Sequence, residues 1–146
     1  MKKLLYILTL GILLVSCELE TSGNEKLDGF WQMSQVDTLS TGRVTDTREA
    51  LIYWGIQGKL LQIRFSENGT YLGEGLMFRF NRDGDNLTLS SPVIHHLYET
   101  DDPIDDVEIL KPLGIFNLVE TFHIDELDDD EMVLTNNSLR LHFRRY

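Results

Sequence analysis

The side chains in this chain that could do chemistry are chiefly carboxylates and histidines. Glu74 and Glu120 each share strand parity with apolar neighbours, so a rolled sheet would turn both carboxylates toward its interior. Two carboxylates inside a barrel could orient a ligand or act as a pair with perturbed pKa values. The alternative is that each lies at a mouth or a bulge and is exposed to water. The sequence leaves both interpretations open.

A metal site is the second kind of chemistry to weigh. His95 and His96 precede a run of acids at 101–106, but their spacing matches no established ligand pattern. Adjacent residues of a strand also point to opposite faces. The acidic run 128–131 lacks the glycine and the alternating ligands of a calcium-binding loop. We therefore predict solvated acidic loops, with no metal and no cofactor.

Motifs of the common catalytic classes are not found in the sequence. There is no Gly-x-Ser-x-Gly, no His-Glu-x-x-His, no phosphate-binding loop and no cysteine nucleophile. We predict that the protein is not an enzyme. The formal net charge of −11 argues against nucleic-acid binding and against electrostatic docking on anionic lipid, because both require an excess of Lys and Arg.

The N-terminus has the pattern of an export signal. Lys2 and Lys3 precede the apolar run Leu4–Val15, which is short for a transmembrane helix. The run ends in Leu14-Val15-Ser16-Cys17, which resembles the lipobox of bacterial lipoproteins and contains the only cysteine. The resemblance implies cleavage before Cys17, a diacylglycerol on its sulfur and an acyl group on its amino terminus. The alternative is an ordinary secretory signal with an incidental cysteine.

Cleavage there would divide the chain into three parts. Residues 1–16 are the predicted signal peptide, 17–26 the lipidated cysteine and a flexible tether, and 27–146 the folded domain. Loss of Lys2 and Lys3 takes the formal charge from −11 to −13. Partners would be the membrane, through the anchor, and a small ligand. We expect an outer-membrane lipoprotein that faces the periplasm or the cell surface. Glu18 and Glu20 resemble the export signal of surface-exposed lipoproteins, or form only an acidic tether.

The domain itself has the alternation of an all-β protein. Apolar residues recur at every second position in 59–65, 70–80 and 139–145, which is the pattern of half-buried strands. Further strands are predicted at 29–36, 50–57, 87–90, 92–96, 120–126 and 132–135, and 39–46 is predicted as a loop. One segment has helical spacing instead. One short helix is predicted over 103–110, with Asp102 as its N-cap and Pro103 as its first residue.

About eight short strands with hairpin-sized connections predict an antiparallel sandwich or barrel. A barrel must close on its first strand, because closure removes the edges on which sheets aggregate. We therefore expect the first and last strands to meet beside Trp31, with this indole filling one end. A barrel of eight strands is wide enough to be filled by its own side chains or to hold one small ligand.

The opening Gly29-Phe30-Trp31 resembles the Gly-x-Trp motif of lipocalins. That resemblance implies a Trp packed across the closed end of the barrel, with an Arg from the last strand, here Arg144 or Arg145, stacked on it. Residues 27–146 are similar to lipocalin-like lipoproteins of unassigned function in gut-type Gram-negative bacteria. They share the opening Leu-Asp-Gly-x-Trp, a middle stretch like 53–63 and an end like 139–146. The expected fold class is an all-β, eight-stranded lipocalin-like barrel with one short helix.

Two functions are consistent with this fold. The first is capture of a small apolar or amphipathic ligand at the open end, with candidate residues Tyr53, Trp54, Phe78, Phe80, Glu74 and Glu120. The second is a lipid-anchored, non-enzymatic accessory subunit whose barrel is packed solid. A barrel that spans the outer membrane is a further alternative. It is disfavoured because the strands are short and carry Arg64, Arg79 and Arg140 on one face.

Overall fold

The computed structural model of the protein describes residues 22–67, 70–71 and 75–146. Two predicted functional residues, Cys17 and Glu74, lie outside the described residues. The strands are β1 (Gly29–Thr38), β2 (Arg43–Asp46), β3 (Tyr53–Gln57), β4 (Leu60–Arg64), β5 (Ser66–Glu67), β6 (Thr70–Tyr71), β7 (Leu76–Asp83), β8 (Asn86–Ile94), β9 (Asp102–Pro103), β10 (Glu120–Leu127), β11 (Glu131–Thr135) and β12 (Leu139–Arg145). Short 3-10 helices cover Glu25–Leu27, Arg48–Ala50, Val107–Ile109 and Lys111–Leu113.

Eight of the described strands close into an antiparallel barrel, as the sequence predicts. They pair in the order β1-β3-β4-β7-β8-β10-β11-β12, and β12 returns to β1. The closing register pairs Trp31 with Arg145 and Thr38 with Leu139. The first and last strands therefore meet beside the indole. Each of these strands pairs with two neighbours in the ring, and the short β2 and β9 pair with parts of β1 and β8.

The barrel is filled by the inward residues of alternating strands. The fully buried core includes Trp31, Met33, Trp54, Leu61, Ile63, Phe78, Leu87, Leu89, Phe122, Leu134, Leu141 and Phe143. Each lies one position away from an outward residue of the same strand, as the pleat requires. A hydrophobic side chain of this size contributes roughly 1.5–3 kcal/mol when it is fully buried. The core therefore lies inside the ring of strands rather than between two separate sheets.

Two elements differ from their predictions. The loop predicted over 39–46 contains β2, which forms a hairpin with the second half of β1 where β3 does not reach. All four residues of β2 are exposed, so the segment lacks the alternation by which strands are recognised. The short helix is present between strands, but it begins later than Pro103. Asp102 and Pro103 pair with β8, and the cap is Asp106, whose carboxylate accepts from the Glu108 N–H.

One polar contact between β1 and β12 reinforces the closure. The His142 Nε2 and Asp37 Oδ2 atoms are 2.8 Å apart, and Gln35 Nε2 donates to Asp37 Oδ1. Burial would raise the pKa of the Asp37 carboxyl, but the hydrogen bonds from His142 and Gln35 outweigh it and hold that pKa below its usual value. The ionised carboxylate is therefore favoured in the folded protein.

We expect Asp37→Asn to destabilise the fold in a pH-dependent way. A depressed pKa contributes stability that is present above the unfolded value, about 4, and is lost as the pH falls through the folded value. Urea denaturation should show a loss of about 1–2 kcal/mol at pH 5 and a much smaller loss at pH 2.5. Asp105→Asn, which removes an exposed carboxylate, is the matched control. An equal loss at both pH values would contradict the proposed role of the ionised Asp37.

Candidate functional site

The closed end of the barrel is built around Trp31. Its ring is fully buried, and its Nε1 donates to the carbonyl of Leu27 at 2.9 Å, so the 3-10 turn before β1 is tied beneath the indole. The guanidinium carbon of Arg145 lies 4.1 Å from the centre of the Trp31 ring. Such a contact is worth about 0.5–2 kcal/mol. Leu27, Trp31 and Arg145 together close this end.

Of the two candidates, Arg145 is the arginine that stacks on the Trp31 ring. Its Nη1 donates to the carbonyl of Asp28 at 3.0 Å and its Nη2 to that of Lys26 at 2.8 Å, while its Nε donates to Asp129. Arg144, the preceding residue of the strand, points to the outside. There its Nε donates to the Gln32 side chain at 2.8 Å. The alternation of β12 therefore decides between the two.

Gly29 is required by the approach of Arg145. Its φ of +149° is unfavourable for a residue with a side chain, and a Cβ built there would lie 2.1 Å from Arg145 Nη1. Any side chain at this position would push the guanidinium away from the indole. Gly29 therefore leaves space for the Arg145 guanidinium above the indole, and Trp31, two residues later, supplies that indole.

We expect Gly29→Ala to cost about 2–4 kcal/mol in chemical denaturation, because it adds a clash with Arg145 to the backbone strain. Gly42→Ala is the matched control. Gly42 also has a positive φ, +68°, but a Cβ there meets nothing within 4 Å. The control should lose only about 1 kcal/mol. Equal losses in the two variants would show that the Arg145 contact does not depend on Gly29.

Aromatic side chains meet inside the barrel around Trp54, which lies opposite Trp31 in the pairing of β1 with β3. Its ring lies 4.8 Å from that of Phe143 and 5.9 Å from that of Phe122, centre to centre. Trp54 is completely buried, yet no described residue accepts a hydrogen bond from its Nε1. A buried donor without a partner costs about 1–3 kcal/mol. It is therefore the polar group of the interior that a bound molecule could use.

The other predicted interior residues divide into two groups. Phe78 and Phe80 are buried in the same core as Trp54. Tyr53 points to the opposite side of β3, where its ring stacks on Phe30 at 5.3 Å and meets Tyr146 edge-on at 5.1 Å. The prediction that Tyr53 and Trp54 act together on one ligand is thus not met, because neighbouring residues of a strand face opposite ways.

Glu120 is buried, with 6% of its surface exposed, but its carboxylate already has partners. Its Oε2 accepts from the backbone N–H of Phe116 at 2.9 Å and from both the N–H and the side-chain amide of Asn117 at 3.0 and 2.9 Å. Three donors on one oxygen fix the loop that enters β10. Glu120 therefore holds the chain at the second end of the barrel. The pairing of Glu120 with Glu74 lies outside the described residues.

The second end of the barrel is covered by the segment 104–118. Its buried side chains are Ile104, Leu110, Leu113 and Ile115. Gly114 lies against Leu139 and Leu141, and its carbonyl accepts from the buried Asn136 amide at 3.0 Å. Hydrogen bonds hold this cover at Ile104 and again at Gly114, Phe116 and Asn117. No residue of 104–118 belongs to a strand, so the cover could move without breaking strand pairing.

The histidines with acids nearby do not assemble into a metal site. His95 Nδ1 lies 2.9 Å from Asp101, and His96 Nε2 lies 3.1 Å from Asp102, so each ring contacts a different carboxylate. The N–H of His96 and the ring of His95 both hold the pKa of Asp101 below its usual value. No group of three or more His, Cys, Asp or Glu with metal-binding geometry occurs among the described residues.

The sequence matches the model of the lipocalin-like domain over residues 12–146. The chain belongs to the lipocalin-like family. This agrees with the closed eight-stranded barrel and with Trp31 and Arg145 at its end. No curated protein is significantly similar in sequence.

Three solved structures resemble this lipocalin-like protein. A lipocalin-like protein from Bacteroides uniformis is 13% identical, with a TM-score of 0.64 over 83% of this chain and 99% of its own. An uncharacterized protein from Bacteroides eggerthii is 19% identical, with a TM-score of 0.55 over 82% and 98%. A protein from Burkholderia xenovorans is 11% identical, with a TM-score of 0.50 over 90% and 92%. At these identities the likeness shows the fold alone.

Sequence reasoning missed the outer surface of this lipocalin-like barrel. Phe30, Tyr53 and Tyr146 form an aromatic cluster outside the closed end. The signal was available in the parity of the strands. Phe30 and Tyr53 each precede a tryptophan that faces inward, so each had to face outward. Phe30 also lines an open groove over β3 and β4.

Proposed function

We propose that this lipocalin-like protein is a lipid-anchored lipoprotein of the cell envelope whose barrel takes up a small, mainly apolar ligand. The observation that supports ligand uptake is the Nε1 of Trp54, a buried donor without an acceptor among the described residues. The rings of Phe122 and Phe143 contact the Trp54 ring, and Phe78 belongs to the same core. Such surroundings suit a hydrocarbon body with one hydrogen-bond acceptor, for example a long-chain alcohol, ester or acid.

Entry of this ligand would take place at the second end. The segment 104–118 contributes buried apolar side chains to the core. Strand pairing with β8 ends at Pro103, and the segment that follows pairs with no barrel strand. The opposite end is closed by Trp31 and by Arg145, whose guanidinium donates to three backbone carbonyls. A ligand that displaces part of the cover would keep the closed end intact.

We expect Trp54→Phe to weaken binding of acceptor-bearing ligands about tenfold while leaving the barrel folded. The substitution keeps an aromatic ring in the core and removes the donor, and one neutral hydrogen bond is worth about 0.5–1.5 kcal/mol. Binding is measured by calorimetry with a long-chain alcohol and with the alkane of equal length. The alkane should bind the two proteins with similar affinity, which serves as the control. If the Trp54→Phe protein binds the alcohol as tightly as the parent does, Nε1 does not donate a hydrogen bond to the ligand.

A second candidate function is a non-enzymatic accessory subunit with a solid barrel. It is favoured by the number of large buried side chains, which include Trp31, Trp54, Phe78, Phe122 and Phe143. Native mass spectrometry of protein purified from its own membrane separates the two functions. A bound mass that dissociates on activation supports ligand uptake, whereas bare protein that binds neither alcohol nor alkane supports the subunit.

The anchor of the proposed lipoprotein is Cys17, the only cysteine of the chain. Within the described part of the chain, no helix is both long and apolar enough to cross a membrane. We expect the mature protein to fractionate with membranes and to carry acyl chains on Cys17. The Cys17→Ser variant should be released into the soluble fraction, since acyl chains supply the binding free energy. Mass spectrometry of the N-terminal peptide checks this. An unmodified thiol in the parent protein would overturn the lipoprotein assignment.

A further inference from the structure

An open groove crosses the outer face of the barrel over β3 and β4. Four residues of neighbouring strands lie in one cross-strand row, Phe30 opposite Gly55, Gly55 opposite Gln62, and Gln62 opposite Met77. Because Gly55 has no side chain, a depression of about 980 Å³ lies between the Phe30 ring and Leu60. Phe30 is 37% and Leu60 44% exposed. We call this depression the β3–β4 groove.

The aromatic cluster forms one border of the β3–β4 groove. Phe30 stacks on Tyr53, and Tyr146 lies edge-on to both rings. Tyr146 is 72% exposed although it packs on two other aromatic rings. Tyrosine combines an apolar ring with a polar tip, and for that reason it is enriched where hydrocarbon meets water at membrane surfaces.

The charge of this face is opposite to that of the whole chain. The protein has 24 acidic and 13 basic residues, yet 29–36, 51–65 and 75–82 contain no acid. On the outer side of β3, β4 and β7, these stretches carry the exposed Lys59, Arg64 and Arg79. The acidic residue that lines the groove is Asp28, and its carboxylate accepts from Ser22 and Asn24. The surface is therefore apolar and basic on an otherwise acidic domain.

The tether joins the domain beside the same groove. The Asn24 side chain donates to the Gly58 carbonyl at 2.7 Å, which fixes the N-terminal segment against the β3–β4 turn. Ser22, Gly23 and Asn24 line a second depression, which shares Gly58 and Lys59 with the groove. Cys17 precedes Ser22 by five residues. Five residues span at most about 18 Å, so acyl chains on Cys17 would hold this rim close to a bilayer.

From these observations we propose that the β3–β4 groove and the aromatic cluster form a docking face for the phosphate-bearing surface of a lipid bilayer. The proposal rests on acylation of Cys17. Phe30, Leu60 and Tyr146 enter the interfacial layer of the bilayer, and Lys59 and Arg79 contact lipid phosphates. The net charge of the chain argued against anionic lipid, but the stretches 29–36, 51–65 and 75–82 contain no acid, so repulsion acts mainly on other parts of the domain. This repulsion orients the domain.

Docking of this kind needs little intrinsic affinity. Because Cys17 precedes Ser22 by only five residues, contact of the β3–β4 groove with the membrane is intramolecular once Cys17 is inserted. This gives the contact a high effective concentration. Each Lys or Arg near an anionic surface contributes about 1 kcal/mol, and the buried apolar area adds to it. In the docked orientation the wall formed by β10 and β11 faces away from the membrane, because it lies across the barrel from β3 and β4.

The test uses the full chain, acylated in a Gram-negative host and reconstituted in vesicles of phosphatidylethanolamine and phosphatidylglycerol. Acylation consumes the only native thiol, so Leu60→Cys introduces one site for an environment-sensitive fluorophore. Thr121→Cys, exposed on β10, is the control position. Brominated lipid chains should quench the probe at residue 60 several-fold more than the probe at residue 121. Equal quenching at the two positions, or none at either, would overturn the docking face.

Charge reversal provides the second measurement. Lys59→Glu should reduce quenching of the probe at residue 60 several-fold, whereas Arg43→Glu, an equal change on the exposed β2, should leave it unchanged. In phosphatidylcholine vesicles, which carry no net charge, quenching should also fall. Equal effects of the two substitutions would show that net charge, rather than this face, controls the approach.

The parent protein without an introduced cysteine separates this inference from the proposed function. If Cys17 reacts with the fluorophore, it is not acylated, and the lipoprotein assignment and the docking face fail together. If the parent is inert and floats with vesicles but the probe at residue 60 is not quenched, the docking face alone fails. A probe at residue 60 that is shielded from iodide without vesicles would show that a second copy of the chain covers the groove, which also overturns the proposal.

Discussion

Closure of the sheet between its first and last strands places the Arg145 guanidinium over the Trp31 ring, and the other parts of the domain depend on this contact. The register that pairs Trp31 with Arg145 also brings Asp37 to His142 at the far end of the same two strands. The guanidinium donates to the carbonyls of Lys26 and Asp28 in the N-terminal turn and to that of Asp129 in the β10–β11 turn. One side chain therefore links the N-terminal segment, the β10–β11 turn and the base of the core.

The inner and outer surfaces of the barrel offer different kinds of binding. Inside, Trp54 has an unused donor among apolar rings, which suits a small molecule with a single acceptor. Outside, Phe30, Tyr53 and Tyr146 lie next to a groove with basic residues, which suits an extended anionic surface. Both properties come from β3, whose adjacent residues Tyr53 and Trp54 face opposite ways. A lipid-anchored binding protein would use both faces at once, one to hold its position and the other to hold its ligand.

The segment between β9 and β10 explains how a barrel closed at both ends could still admit a ligand. Glu120 fixes the end of this segment through Phe116 and Asn117, and Asn136 holds it through Gly114. Residues 104–113, which precede these points, contribute the buried apolar side chains of Ile104, Leu110 and Leu113. Apolar contacts can be exchanged for those of a ligand with little loss of free energy, whereas the hydrogen-bonded points keep the cover attached.

The sequence by itself determined the barrel, because period-two alternation and short turns recur from Gly29 to Arg145 and closure must join the two end strands. The resemblance of Gly29-Phe30-Trp31 to the lipocalin motif predicted the pairing of an indole with an arginine. The spacing of apolar residues located the helical segment between strands, although not its first residue. The tertiary structure decided that Glu120 holds a loop, and that Phe30, Tyr53 and Tyr146 from distant parts of the chain share one surface. Alternation along a strand is local and can be read from neighbouring residues. Which faces become inside, and which side chains from distant strands share a surface, depends on register and closure, which only the folded chain sets.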